Sequence, residues 1–188
     1  MKIVLIILTA ALLTLNGLFG IPGKHRNFAE ILRKMKNPLI VIRKKERVLE
    51  LYDNQKLVKT YKIALGSAPS GDKEREGDGK TPEGEFYVFT KNDRSKFYLA
   101  LGLSYPNIED ARRGLHEELI SQTEYDSIAK AITDKKMPLQ NTNLGGEIYI
   151  HGGGRETDWT KGCVALFDEE IKEIFDQIEV GTSVRIEA

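Results

Sequence analysis

The stretch "IYIHGGGRETDWTKGCVALFDEE", residues 148–170, places a predicted strand, a glycine-rich loop and the chain's only cysteine next to one another. The alternating run that ends at His151 predicts a strand, and Cys163 follows twelve residues later. A histidine at a strand end is held rigidly enough to act as a general base, and a nearby thiol is the nucleophile that it could deprotonate. A buried thiol near a core histidine has the same spacing, so spacing alone leaves both interpretations open.

The segments around this stretch predict the fold class. From Pro38, alternating segments separated by polar turns predict two consecutive hairpins, and further strands follow a long loop rich in Gly, Pro, Ser and Asp. After Pro106 the apolar residues recur with helical spacing, which predicts two helices within an insertion at 107–135. The prediction is a mainly β domain with this helical insertion and one late helix. The predicted N-caps are Asn107, Thr123 and Asp168.

Charge and composition exclude several classes of function. Lys+Arg and Asp+Glu both number 28, so the formal net charge is zero, and a nucleic-acid partner is not expected. The "GDGKT" segment is not a phosphate-binding loop, because Glu74 stands where that loop needs its first glycine. His151, Cys163 and Asp158 make a poor ligand set, so no metal site is expected.

The N-terminal residues differ in kind from the rest. Lys2 and the apolar run after it predict that residues 1–23 are a signal peptide or an uncleaved membrane anchor. Both alternatives place the folded part in the periplasm or cell envelope, with membrane contact only through this segment. Residues 24–37 are predicted to be a linker or short helix, and residues 38–188 the folded domain. In an oxidising compartment a lone thiol is a liability unless it is buried or used.

Three motifs in the same order resemble one known family. "GDGKTPEGEF", "LGLSYPN" and "HGGG…DWTKGCVAL" are similar to the L,D-transpeptidase catalytic domain, which has the YkuD-like fold. The resemblance covers about residues 38–188, and three co-occurring motifs are far more specific than a Gly-Cys pair alone. The residues that match the family's motif are His151, Gly152, Thr160, Gly162 and Cys163.

The resemblance implies a YkuD-like β-sandwich that acts on peptidoglycan stem peptides. Cys163 would form a thioester with the residue at stem position three, and an amine from a neighbouring stem would resolve it as a 3→3 cross-link. His151 would be base and then acid, with its tautomer fixed by the Gly152 carbonyl, and N–H groups near Gly162 and Cys163 would form the oxyanion hole. The resemblance implies no metal or organic cofactor, and it makes carbapenem-type inhibitors expected ligands.

Further residues are candidates for substrate binding. The hydroxyl of Thr160 lies within the motif and is expected to reach the His–Cys pair, whereas Trp159 and Tyr105 are each either a platform for the stem peptide or a core residue. Lys161 adds a charge beside the nucleophile. The family commonly has arginine two positions after the cysteine, where this chain has Ala165, and Lys161 or Arg155 would have to replace that charge.

Two other functions remain as alternatives to transpeptidation. The loop from His151 to Cys163 is short, so the acceptor side is expected to be open, and water that enters it would hydrolyse the thioester. A cysteine-dependent L,D-carboxypeptidase or endopeptidase is therefore the first alternative. An inactive wall-binding module is the second, although the catalytic pair and its glycines are intact.

Overall fold

The domain begins with a three-stranded antiparallel meander, as the alternating pattern predicts. In the computed structural model, which describes residues 34–188, β1 is Pro38–Arg43, β2 is Val48–Asp53 and β3 is Lys56–Lys62. Asn54 and Gln55 both have positive φ, 49° and 64°, which is the backbone of the two-residue turn that suits a twisted hairpin. The predicted hairpins are therefore confirmed.

The remaining strands complete one curled sheet. β4 is Gly84–Ser95, β5 is Tyr98–Leu103, β6 is Tyr149–His151, β7 is Val164–Ala165 and β8 is Ser183–Glu187. The strand order is β3-β2-β1-β8-β4-β5-β6-β7, and only the β1–β8 and β6–β7 pairs are parallel. The long strand β4 pairs first with β8 and then with β5. Isolated bridges from Ala64 to Ala165 and from Gly66 to Thr160 bring the two ends of the sheet together.

Within residues 34–188, three helices lie outside the sheet, in the segments where helical periodicity predicts them. α1 is Ile108–His116, α2 is Gln122–Thr133 and α3 is Asp168–Gln177. α1 and α2 share a small core of their own, whose buried residues are Ala111, Ile120, Ile128 and Leu144. α3 instead packs on the main core through Ile171 and Ile174, and Ile178 directly after the helix joins the same core; all three are completely buried. The fold class, mainly β with a helical insertion and a late helix, is confirmed.

Two of the three predicted helix caps are wrong. Asn107 caps α1, where its side chain accepts from the N–H groups of Glu109 and Asp110. α2 is capped by Ser121 rather than Thr123, so the helix begins earlier than predicted. Asp168 is the first residue of α3, and its Oδ1 accepts instead from the Gly153 N–H at 2.8 Å. That carboxylate therefore holds the loop after His151.

The loop at 66–83 underlies the segment that contains the single cysteine. A buried ion pair within the loop joins Lys73 Nζ to Asp78 Oδ1 at 2.8 Å, and both side chains are less than a tenth exposed. The main chain approaches so closely that a Cβ on Gly66 would lie 3.1 Å from the Cα of Gly162. The cysteine segment thus rests on a loop that is itself held by a desolvated charge pair.

The predicted N-terminal segments lie mostly outside the described residues. The signal peptide or anchor proposed for 1–23, and residues 24–33 of the predicted linker, are among them. Residues 34–37 are irregular and lead into β1. Across residues 34–188, no helix is long and apolar enough to cross a bilayer.

Candidate active site

His151 ends β6, and a backbone carbonyl fixes the orientation of its ring. The side chain is almost completely buried, and Nδ1 lies 2.6 Å from the carbonyl oxygen of Gly152. A carbonyl oxygen can only accept, so Nδ1 must carry the proton in the neutral ring. Nε2 is therefore left with a lone pair and can act as a base.

Two aromatic rings enclose this imidazole. Phe97, in the turn between β4 and β5, stacks on His151 with ring centroids 4.5 Å apart and planes tilted by 19°. Trp159 meets His151 edge-on at 5.7 Å and Phe97 at 5.4 Å. Trp159 is 39% exposed, so it is an aromatic residue beside the imidazole and not a core anchor.

Burial keeps the His151 ring neutral. Removal from water lowers the pKa of His151 below its usual value of 6.5, and the positive charge of Lys96 acts in the same direction. The hydrogen bond to Gly152 opposes this shift but does not reverse it. At neutral pH the imidazole is thus in the form that can accept a proton.

The thiol of Cys163 is also neutral, and its hydrogen-bond partner is not the imidazole. Its Sγ donates to the carbonyl of Glu147 at 3.4 Å, and among the described residues it has no hydrogen bond with His151. Burial, with a contribution from the Glu147 charge, raises the pKa of the Cys163 thiol to about 11, although the Tyr149 N–H and two lysines oppose the shift. The resting pair is therefore thiol and imidazole, and proton transfer requires Sγ to leave Glu147.

The turn before the nucleophile depends on glycine. Gly162 has φ +130°, which side chains rarely adopt, and a Cβ there would lie 2.6 Å from the carbonyl oxygen of Lys80. Thr160 Oγ1 accepts from the Gly162 N–H at 3.1 Å and donates to the Cys163 carbonyl at 2.7 Å. Thr160 thus holds the backbone of the turn and does not reach the thiol or imidazole. The Gly162 N–H expected to bind an oxyanion is already engaged.

The remaining predicted site residues, Tyr105 and Lys161, have different environments. Tyr105 is completely buried, and its hydroxyl donates to the Leu144 carbonyl at 2.9 Å, so it is a core residue and not a platform for substrate. Lys161 is exposed next to the nucleophile. The sequence pattern did not identify Phe97 or Glu147, because both reach the site through pairing between strands distant in sequence.

No arginine occupies the place of the family residue. Ala165 stands at that position and is completely buried within β7. Arg155 binds Glu170 through two nitrogens, at 2.9 and 3.1 Å, and lies over the Phe167 ring. Of the two predicted replacements, Lys161 is the one that stays exposed at the nucleophile.

A shallow cleft lies between the loop after His151 and the start of α3. Its volume is about 370 Å³, and it is lined by Gly153, Gly154, Phe167, Asp168 and Glu169. Neither His151 nor Cys163 lines this cleft. Within residues 34–188, no three His, Cys, Asp or Glu side chains are arranged to hold a metal ion.

A buried histidine with a fixed tautomer and a cysteine in a glycine-dependent turn, carried by paired strands of one curled sheet, are the residue types that a cysteine acyl-transfer site requires. Comparison with known proteins specifies the class. The family described as the L,D-transpeptidase catalytic domain, YkuD, matches residues 37–186, so this chain belongs to that family. The predicted family membership is confirmed.

Individual relatives agree with this assignment. The L,D-transpeptidase-family protein YafK of Escherichia coli (strain K12) is 32% identical over 127 residues, which are 61% of this chain and 51% of YafK. This chain thus spans about half the length of the curated relatives that it matches.

Two solved structures share the fold. The helical cell shape determining protein Pgp2 of Campylobacter jejuni superposes with a TM-score of 0.56 and 24% identity, over 84% of this chain and 52% of Pgp2. Bd1075 of Bdellovibrio bacteriovorus gives a TM-score of 0.54 and 21% identity, over 81% of this chain and 48% of Bd1075. At these identities the likeness shows the fold alone.

The neutral resting pair leads to a first prediction. Alkylation of Cys163 by iodoacetamide is expected to be slow at neutral pH and to accelerate as the pH rises toward its raised pKa of about 11, because only the thiolate attacks. Rates from intact-protein mass spectrometry would test this, and a single cysteine makes the site of reaction certain. A fast rate that does not vary across neutral pH would mean a resting thiolate and contradict the prediction.

Proposed function

We propose that this chain is a peptidoglycan L,D-transpeptidase that forms 3→3 cross-links through a thioester on Cys163. The observation that carries the proposal is the 2.6 Å contact between His151 Nδ1 and the Gly152 carbonyl. This contact makes Nε2 the base, in a chain whose family is that of L,D-transpeptidase catalytic domains.

Acylation would start from the neutral pair. The thiol leaves the Glu147 carbonyl, passes its proton to His151 Nε2, and Sγ attacks the carbonyl carbon of stem residue three. Because the Gly162 N–H is held by Thr160, the N–H of Cys163 itself is the donor that we assign to the oxyanion. His151 then returns the proton to the departing nitrogen of the terminal D-amino acid, and a thioester remains.

Deacylation would reverse the roles of the same groups. An amine from a neighbouring stem attacks the thioester carbonyl, His151 takes the proton of that amine, and the thiolate of Cys163 leaves and is reprotonated. The thioester conserves the free energy of the broken amide, so the new cross-link forms without nucleotide hydrolysis. Lys161, exposed beside the nucleophile, is proposed to contact a carboxylate of one of the stems.

Hydrolysis is a second candidate function, because it uses the same thioester on Cys163 and differs only in the group that resolves it. Water in place of the amine would make the chain an L,D-carboxypeptidase, or an endopeptidase if the leaving group belongs to a cross-link. Pgp2, a structural neighbour, is described as a cell shape determining protein, and a role in wall biogenesis and cell shape is proposed here by that analogy.

Mass spectrometry of reaction products tests these functions directly. The full chain would be incubated with disaccharide-tetrapeptide, with Cys163→Ala as the control. A cross-linked dimer that depends on Cys163 is expected. Loss of the terminal D-residue without dimer would replace transpeptidation by hydrolysis, and no Cys163-dependent product would favour a wall-binding module.

The proposed acylation chemistry also predicts an inhibitor. A carbapenem is expected to acylate Cys163, since a strained lactam carbonyl presents the same electrophile to the thiol.

The substrate lies in the cell wall, so the folded domain is proposed to work in the periplasm or envelope. An alkaline phosphatase fusion to the domain, which is active only after export, tests that location.

A further inference from the structure

The turn between β4 and β5 extends over the proposed base. Ser95 pairs with Tyr98, so Lys96 and Phe97 form a two-residue turn, and the Phe97 N–H donates to Ser95 Oγ at 3.0 Å. The strand that follows the turn pairs with β6, with Ala100 opposite His151. The ring of Phe97 is thereby brought onto the imidazole, at the 4.5 Å centroid distance of a stacked pair.

The glycines after His151 make room for this turn. A Cβ on Gly152 would lie 2.4 Å from Asp168 Oδ1 and 2.8 Å from the carbonyl oxygen of Phe97, and a Cβ on Gly153 would lie 3.3 Å from the Phe97 ring. The distance to the Phe97 carbonyl is too short for any side chain, and that obstacle is backbone. Gly152 and Gly153 therefore leave room for Phe97. This close approach explains why the motif has glycine at these two positions, without any role for them in binding an oxyanion.

Trp159 completes the enclosure from the other end of the loop. Its indole N–H donates to the Gly154 carbonyl at 3.1 Å, which anchors the ring against the glycine segment. Its edge contacts both His151 and Phe97. With these two rings in place, only 2% of His151 is exposed, although Trp159 itself is 39% exposed.

We propose that Phe97 is a positioning residue for His151 that also determines acceptor specificity, because it fixes the imidazole plane and keeps free water from the base that would activate it. The specificity part rests on the proposed acyl-enzyme function. A stem peptide brings binding energy with which to displace water and place its amine at the base, whereas a free water molecule brings none. Removing the Phe97 ring should therefore let water reach His151 without improving the binding of the acceptor amine.

The charged groups near His151 also favour the neutral form of its imidazole, which Phe97 and Trp159 cover. Lys96 Nζ lies over the Phe97 ring, 5.0 Å from its centroid, and disfavours a second positive charge beneath it. From α3, Asp168 directs its carboxylate to the Gly153 N–H, and from the loop before β7 the neutral thiol of Cys163 faces Glu147. Loss of Phe97 should thus raise the pKa of His151 toward its usual value of 6.5.

Four variants test the proposal: Phe97→Ala, Phe97→Leu, Phe97→Tyr and, as the matched control, Tyr98→Ala in the same turn. Tyr98 is 45% exposed and has no ring contact with His151. The His151 pKa would be followed by NMR titration of labelled histidine, and unfolding midpoints would verify that each variant is folded. Incubation with disaccharide-tetrapeptide gives the ratio of cross-linked dimer to hydrolysed product.

Phe97→Ala is expected to raise the His151 pKa and to lower the dimer-to-hydrolysis ratio by roughly two- to tenfold, the factor that one aromatic contact represents. Phe97→Leu retains an apolar side chain but no aromatic ring, so its His151 pKa and its product ratio should lie between those of the wild type and Phe97→Ala. Phe97→Tyr and Tyr98→Ala should match the wild type in both. An unchanged His151 pKa in Phe97→Ala would overturn the positioning role, and an unchanged product ratio would overturn the specificity role. If the wild type forms no dimer, transpeptidation fails as the function and the specificity role with it, while the NMR result still decides the positioning role.

Discussion

Replacing Cys163 with serine is expected to abolish covalent adducts and to lower turnover by ~10³-fold or more. The surroundings of residue 163 raise even a thiol pKa to about 11, and a hydroxyl, which is intrinsically far less acidic, would remain protonated there. Serine is nearly the same size, and the backbone bonds made by Thr160 do not involve the side chain of residue 163. The fold should therefore be retained.

Intact-protein mass spectrometry with a carbapenem measures this effect. The wild type should gain the mass of one inhibitor, and Cys163→Ser should gain none. Thermal unfolding of both proteins controls for a folding defect. A serine variant that forms the adduct at the wild-type rate would show that acylation occurs elsewhere and would overturn the assignment of the nucleophile.

Replacing His151 with glutamine is expected to lower the rate of acylation by about 10²–10⁴-fold, the usual contribution of a general base. Glutamine keeps a polar group that can bind the Gly152 carbonyl, but it cannot take the thiol proton. The loss should be large because the thiol has a raised pKa and supplies almost no thiolate on its own at neutral pH. Single-turnover acylation kinetics would measure it.

The pH dependence of the wild type gives a second reading of the same group. The folded pKa of His151 lies below 6.5, so the base is neutral and active above that pKa, and activity should fall as the pH drops through it. The acid limb of the acylation rate is thus expected below pH 6.5. His116→Gln, which changes an exposed histidine on α1, should leave rate and profile unchanged. An acid limb that persists in His151→Gln would assign it to another group.

The strands and helices could be predicted because their patterns are local. Alternation in β1 to β3 and apolar stripes in α1 to α3 identify segments whose buried faces are continuous along the sequence. β7 was missed because two residues cannot show a period. The cap of α2 was misassigned to Thr123 because Ser121, two residues earlier, forms the capping box with Glu124. The cap of α3 was misassigned to Asp168 because Phe167 takes that position, and the Asp168 carboxylate accepts from the Gly153 N–H instead.

The candidate site was predictable in its chemistry but not in its surroundings. His151, Cys163 and the glycines were found because residue type and spacing limit what they can do. Trp159 and Tyr105 had equivalent sequence arguments, yet one is exposed beside the imidazole and the other is completely buried. Nothing in their local sequence distinguishes a residue on the surface from one that faces the core of a curled sheet.

From the sequence alone follow the mainly β class, the family and the candidate nucleophile and base, because each depends on residue identity and short-range order. Only the tertiary structure decided that Phe97 stacks on His151, that the thiol bonds to Glu147, and that Ala165 lies in the core. These contacts join strands and loops far apart in the chain. Their geometry depends on how the sheet curls and which strands become neighbours, and no local pattern carries that information.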